Sequence, residues 1–183
     1  YPFSATRPEP VNQLDDKELY LDLALTRKMG LEIGAPMWFY IQTLDSPMGE
    51  AYYRFTPERM TMQAYLALIH GAKAIQFYSP IDGAVYRDGR KGPLFYQTKA
   101  LNHRLQQWGK TLMALTSEHV FHSPEVHAGD EKFEPFRDSV INSKILENDE
   151  LPFRCSVGEF TDSEGNLYLM ILNRDYMDKR KRI

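Results

Sequence analysis

Residues 56–80 read TPERMTMQAYLALIHGAKAIQFYSP, and the two halves of this stretch need different backbones. Thr56 is placed to cap a helix, because its hydroxyl can accept from a free backbone N–H of the first turn. Pro57 then occupies the first helical position, where a missing N–H costs nothing. Met62, Tyr65, Leu66 and Ile69 recur at helical spacing and predict one apolar face. Gly71 follows the last turn, as a C-terminal glycine should. Two residues later Ala74-Ile75-Gln76-Phe77-Tyr78 forms a short, mostly apolar run that ends at Ser79-Pro80, the pattern of a buried strand. A helix running into such a strand is half of a βα repeat with a parallel sheet. In parallel sheets ligands gather just past the carboxyl ends of the strands. Attention therefore falls on Tyr78–Gly83 and on the matching end of the preceding strand.

That preceding strand is Pro36–Leu44, PMWFYIQTL, a continuous apolar run with aromatic and β-branched members. Between the two strands lie the loop Asp45–Phe55 and the helix just described. Upstream, Leu14–Met29 has helical spacing, with Leu19, Leu23 and Thr26 on one face and Gly30 closing it. Tyr1–Val11 is proline-rich and predicts an extended loop. Downstream, Ile81–Pro93 is a polar, glycine-rich loop. Leu94–Leu115 then predicts a long helix on Leu101, Leu105, Trp108, Leu112 and Leu115. This order is the closing part of an α/β repeat, open or barrel. From Ser117 the pattern changes. Glu118–His122, Asp138–Ile145, Phe153–Phe160 and Asn166–Asn173 alternate or run apolar, and the turn-rich 161–165 joins the last two. An antiparallel β-rich unit is expected over residues 117–183, as the start of a β-sandwich.

The 183 residues carry a net charge of −3, which leaves no overall nucleic-acid footprint. The aromatic fraction, 13%, is high and is weighted to tyrosine and phenylalanine, a composition that suits sugar clefts as well as cores. The single Cys155 excludes an internal disulfide framework and a cysteine-based zinc site. No apolar run is long enough to span a membrane as a helix. No phosphate-cradling glycine loop, no GxSxG elbow and no Cys–His arrangement is present, so no cofactor is expected. His119, His122 and His127 are irregularly spaced and make a poor metal set. The chain opens at Tyr1-Pro2-Phe3 and stops in the basic run Lys179–Arg182. A piece of a longer protein is the expectation.

Several short patterns add up to a resemblance: Tyr1-Pro2, then Trp38 and Gln42 on a strand, Arg59, Gln63, Tyr65, Ala67 and His70-Gly71-Ala72 on a helix, and Ile75, Phe77 and Tyr78 on the next strand. Lys99, Leu101 and Asn102 on the long helix follow. Over residues 1–122 the chain resembles the C-terminal part of (β/α)₈-barrel glycoside hydrolases of the β-galactosidase-like retaining type. The resemblance implies that residues 1–116 are the closing part of a TIM barrel, with Pro36–Leu44 as its seventh strand and Lys73–Tyr78 as its eighth. It also implies a following β-rich domain, a carbohydrate substrate, the remaining N-terminal barrel as a partner within the same polypeptide, and a secreted or periplasmic location. In that family a glutamate nucleophile ends the seventh strand and a glutamine comes next. Here Gln42 is present, but Ile41 precedes it.

Retaining hydrolysis needs two carboxylates roughly 5 Å apart. Asp45 and Glu50, in the loop after the Trp38–Gln42 strand, are the candidate catalytic residues; each also fits a solvated loop acid. For substrate binding the candidates are Gln42, Tyr78, Asp82, Tyr53, Arg54 and Tyr86. Gln42 and Tyr78 offer an amide and an amphipathic ring to a pyranose, while Asp82 also suits a turn-forming Asp-Gly. Trp38, at a strand start, is expected in the core, and His70 is expected to be structural at a helix end. Three functions stay open: glycan hydrolysis, carbohydrate binding without hydrolysis, and an α/β scaffold with no sugar function.

Overall fold

The computed structural model describes residues 17–43, 46–48, 51–53, 56–78, 81, 83–123 and 154–174. The expected strand Asp138–Ile145 lies outside them. The elements in order are α1 (Lys17–Ile33), β1 (Trp38–Gln42), β2 (Ser46–Met48), β3 (Ala51–Tyr53), α2 (Pro57–Ile69), β4 (Ala74–Tyr78), α3 (Phe95–Ala114), β5 (Thr116–Ser123), β6 (Cys155–Thr161) and β7 (Leu167–Asn173).

The helix-to-strand unit forms as its residues dictate. Thr56 is extended, at φ −106° and ψ 154°, and its Oγ1 accepts from Arg59 N at 3.3 Å. At the far end Gly71 adopts φ +88°, and its N–H donates to Leu68 O at 2.8 Å. The turn of chain this allows delivers Ala74 to β4. There β4 pairs in parallel with β1, in a register that sets Trp38 against Ala74 and Gln42 against Tyr78. The crossover between them is α2, long enough to return the chain to the same end of the pair.

One expectation about α2 is too narrow. Met62, Leu66 and Ile69 are buried as the spacing requires, but so are Met60, Gln63, Ala64, Ala67 and Leu68, while Tyr65 is half-buried. A helix that is apolar nearly all round is covered nearly all round. On one side α2 packs on β1; on another it packs on β6 and β7. The close approach of β6 explains Gly158: a Cβ there would sit 2.6 Å from Ile69 O. One apolar cluster consequently runs from Leu19, Tyr20 and Leu23 of α1 through Ile41 and the α2 residues to Val120 and Leu172.

These contacts overturn the expected fold class. The chain is not the closing part of a (β/α)₈ TIM barrel followed by the start of a β-sandwich. Among the described residues, β1 and β4 form a two-stranded parallel sheet with no third parallel strand, β2 and β3 a separate antiparallel pair, and β5, β6 and β7 an antiparallel sheet in that order. In a barrel α2 would meet barrel strands and neighbouring helices alone, whereas here the antiparallel sheet packs on it as well. The sheet in turn lays Val120, Met170 and Leu172 on the helical core rather than on a second sheet. A register shift between Ser117 and His119 bends β5 as it meets β6.

Boundaries shift for local reasons. The first helix passes through Gly30 and ends at Ile33, with Gly34 at φ +67° and Ala35 N donating to Gly30 O at 2.9 Å. At the end of α3, Lys73 Nζ donates to Leu112 O at 2.7 Å and also to Leu115 O. This ammonium caps the carbonyls that the last turn leaves unpaired. It also places the C-terminus of α3 beside the start of β4.

Candidate functional site

Alternation sorts the side chains of the parallel pair onto two faces. Phe39, Ile41, Ile75 and Phe77 face the apolar core. Trp38, Tyr40 and Gln42 share the other face with Ala74, Gln76 and Tyr78, which stand opposite them in register. This face is largely open: Trp38 is 59% exposed, Tyr40 62% and Tyr78 47%. Three aromatic rings and the amide of Gln76 thus line one side of two hydrogen-bonded strands.

At the carboxyl end the pair is tied together. Thr43 Oγ1 donates to Tyr78 O at 2.7 Å. Gln42 N donates to Gln63 Oε1 at 3.1 Å, an amide reaching up from α2. Gln42 and Gln63 are both buried, 3% and 1% exposed. The Gln42 side chain is therefore held inside the rim, and the open surface belongs to the rings.

The expected site residues divide as follows. Gln42 and Tyr78 are brought to the same end of adjacent strands. Tyr86 is exposed in the loop beyond β4, with the Arg90 guanidinium 5.4 Å from its ring centre. That loop is a short hairpin: Tyr86 N donates to Arg90 O at 2.8 Å, Gly92 N to Ala84 O at 2.9 Å, and Val85 bridges Lys91. The backbone of Tyr53 pairs with Ser46 in the β2–β3 hairpin. Asp45, Glu50, Arg54 and Asp82 lie outside the described residues, as does the Tyr53 side chain. Trp38 corrects an expectation, since it stands on the open face rather than in the core. Tyr40 and Gln76 were missed. The signal for both was present: Trp38, Tyr40 and Gln42 alternate with Phe39 and Ile41, and Gln76 and Tyr78 alternate with Ile75 and Phe77.

A second meeting of polar residues lies beneath, between α2 and the antiparallel sheet. His70 is buried and His122 half-buried, with ring centres 5.7 Å apart, and Tyr20 of α1 presents its ring edge to His122 at 4.9 Å. His70 Nδ1 lies 2.8 Å from Leu66 O, and His122 Nδ1 lies 2.8 Å from Ser156 Oγ. Burial pushes the His70 imidazolium pKa down to about 4, against the hydrogen bond to Leu66 and helped by the charge of Arg27. Burial also holds His122 well below the ordinary histidine range, and repulsion from a protonated His70 and from Arg174 acts the same way. Both rings are neutral packing groups at pH 7, so the helix dipole does not hold His70 charged. Arg27 ties α1 to the same place, with Nε donating to Ser117 Oγ at 2.9 Å and Nη2 to Glu118 O at 2.7 Å.

Among the described residues no three His, Cys, Asp or Glu side chains are grouped to hold a metal ion, and none of the helices is long and apolar enough to cross a membrane. The chain matches no protein-family model, no curated protein and no solved structure.

Proposed function

We propose that this protein acts on a glycan, with the open face of β1 and β4 as its sugar-binding surface and hydrolysis of an O-glycosidic bond as its reaction. One observation carries the binding half: Trp38, Tyr40 and Tyr78 stand exposed on a single strand-pair face with the Gln76 amide among them. A pyranose has an apolar C–H face and a rim of hydroxyls. An aromatic ring matches the first and an amide, both donor and acceptor, matches the second. The likeness of residues 1–122 to glycoside hydrolases supports the hydrolytic half, with Asp45 or Glu50 supplying a carboxylate.

Binding without hydrolysis is the second reading, and Ile41 favours it. The residue before Gln42, where the resembled enzymes carry their nucleophile, is fully buried and packed in the core. Among the described residues, no carboxylate stands at the end of β1 in its place.

The test is titration calorimetry of the protein with a panel of neutral oligosaccharides, followed by an assay for new reducing ends. Tyr40→Ala and Trp38→Ala should each weaken binding by about 1 kcal/mol or more, the scale of a good aromatic contact. Because both rings are exposed, stability should stay within about 0.5 kcal/mol of the parent. Glu50→Gln or Asp45→Asn should abolish turnover and spare binding if the chain hydrolyses. Unchanged affinity in both ring variants would remove the sugar face. Binding that persists with no reducing ends released by the parent would leave the binding function alone.

A further inference from the structure

Charge is laid out unevenly along this chain. The whole carries −3, yet between Val85 and Leu115 the cations Arg87, Arg90, Lys91, Lys99, Arg104 and Lys110 face a single acid, Asp88. That acid is already engaged. Its Oδ2 accepts from Arg90 Nε at 2.7 Å and its Oδ1 from Arg90 N at 3.0 Å. Among the described residues Arg87, Lys91, Lys99 and Lys110 have no ion-pair partner, and all four are exposed.

The helix arranges these groups in a line. Tyr96, Lys99, His103, Gln106, Gln107 and Lys110 recur at intervals of three and four on α3, so they share one face, and every one is exposed. Leu101, Leu105 and Leu112 on the other side turn inward. The eleven steps from Lys99 to Lys110 span about 16 Å along the axis. Lys91 extends the line at its N-terminal end. Its ammonium lies 5.1 Å from the Phe95 ring centre and 4.9 Å from that of Tyr96, and it donates to Tyr96 Oη at 3.1 Å. Arg90 sits over Tyr86 in the same way. Arg90 is compensated by Asp88, so the uncompensated cation presented with an exposed ring at the N-terminal end of α3 is Lys91, over Tyr96.

We infer that this stripe binds an acidic glycan chain, a polysaccharide whose sugar rings carry carboxylate or sulfate groups. The inference rests on the glycan function proposed above and names its substrate class. An anionic pyranose offers its acid groups to Lys91, Lys99 and Lys110 and its C–H face to the exposed part of the Tyr96 ring. The amides and the histidine between the lysines serve the hydroxyls. A nucleic-acid duplex fits less well, because it presents a charge every ~1.7 Å and is held by dense phosphate contacts, commonly about six to ten. A few cations spread along one helix match a polymer with a sparser charge.

The experiment titrates the protein with four probes: a hexauronate, a sulfated galactan hexasaccharide, neutral cellohexaose and a single-stranded oligothymidylate of similar length. Each is run at about 20 mM and about 150 mM NaCl, which span weak and nearly complete screening across the stripe. The variants are Lys99→Gln/Lys110→Gln, each of these singly, and Trp38→Ala/Tyr40→Ala. The expected result is that at least one acidic hexasaccharide binds roughly tenfold tighter than cellohexaose at low salt, that the gap narrows at high salt, and that the lysine double variant closes it. Each single lysine variant should close part of it, with the parent's melting temperature kept. The two acidic probes separate carboxylate from sulfate preference. Equal affinity for acidic and neutral sugars, a double variant that binds like the parent, or tighter binding of the oligothymidylate than of either acidic sugar would each overturn the inference. Failure of the two proposals is distinguishable. Loss of acidic-sugar binding in the lysine variant, with the ring variant indifferent, keeps the stripe and removes the β1/β4 face. Cellohexaose binding lost in the ring variant, with the lysine variant indifferent, keeps the face and removes the stripe.

Discussion

Gly71 shows how much can rest on one residue. Its φ of +88° lies where side chains are strained, and a Cβ would come 2.8 Å from Ser117 Cβ. Both penalties act on the turn that joins α2 to β4. Gly71→Ala should therefore destabilise the protein by more than about 1 kcal/mol, since the conformation is incompatible with alanine; the urea midpoint measures it. Gln42 makes a different case. Its buried amide stands at the rim of the candidate site, so Gln42→Ala should lower stability as well as sugar affinity, each by about 1 kcal/mol or more. Calorimetry with sugar and urea titration without it separate the two losses. A variant losing stability alone would make Gln42 a packing residue, with the sugar surface belonging to the exposed rings.

The pair His70–His122 acts between elements, because it joins the end of α2 to β5 and, through Ser156, to β6. The pair is faced by Arg27 and Tyr20 from α1, Ser156 from β6 and Arg174 after β7. In the unfolded chain both imidazoles titrate near 6.5, while in the folded chain His70 titrates at about 4 and His122 also well below its ordinary value. Below pH 6.5 the unfolded state binds more protons, so stability falls with decreasing pH and the loss is complete below the folded values. His70 alone accounts for about 3 kcal/mol between the two limits. Urea midpoints measured from pH 7 to pH 4 should fall steadily, and His122→Phe, which keeps a ring against Tyr20 without a titrating group, should flatten the slope. An unchanged slope in that variant would place the acid sensitivity elsewhere.

At the scale of the whole molecule, one apolar cluster joins the parallel pair, the helices and the antiparallel sheet. Removing residues 124–183 takes away β6 and β7 and uncovers a side of α2 that holds no charge to meet water. The remaining chain should lose cooperative thermal unfolding and bind a hydrophobic dye, as packing-deficient compact states do. Sharp, dye-silent melting of residues 1–123 would show that the α/β part holds itself together without the sheet.

Local chemistry was legible in the sequence. The Thr56 cap, Pro57, the Gly71 turn and the β4 run act within a few residues of themselves, so the helix, the strand and their parallel return to β1 follow from the chain alone. The turn at 161–165 likewise announces the β6–β7 hairpin. What covers each element was not legible, because burial depends on partners far away in sequence. The period of α2 marked one apolar face, yet Met60, Ala64 and Leu68 are buried as well, since the helix is packed by β1, α3 and the antiparallel sheet together. The same distant packing turned the expected barrel segment into a helical core shared by separate sheets. Trp38 reads as a core residue by type and stands in solvent, because the described structure lays no layer over that face of β1. Hydropathy alone ranks side chains by cost of exposure, and only the tertiary arrangement decides which of them are left to meet a ligand.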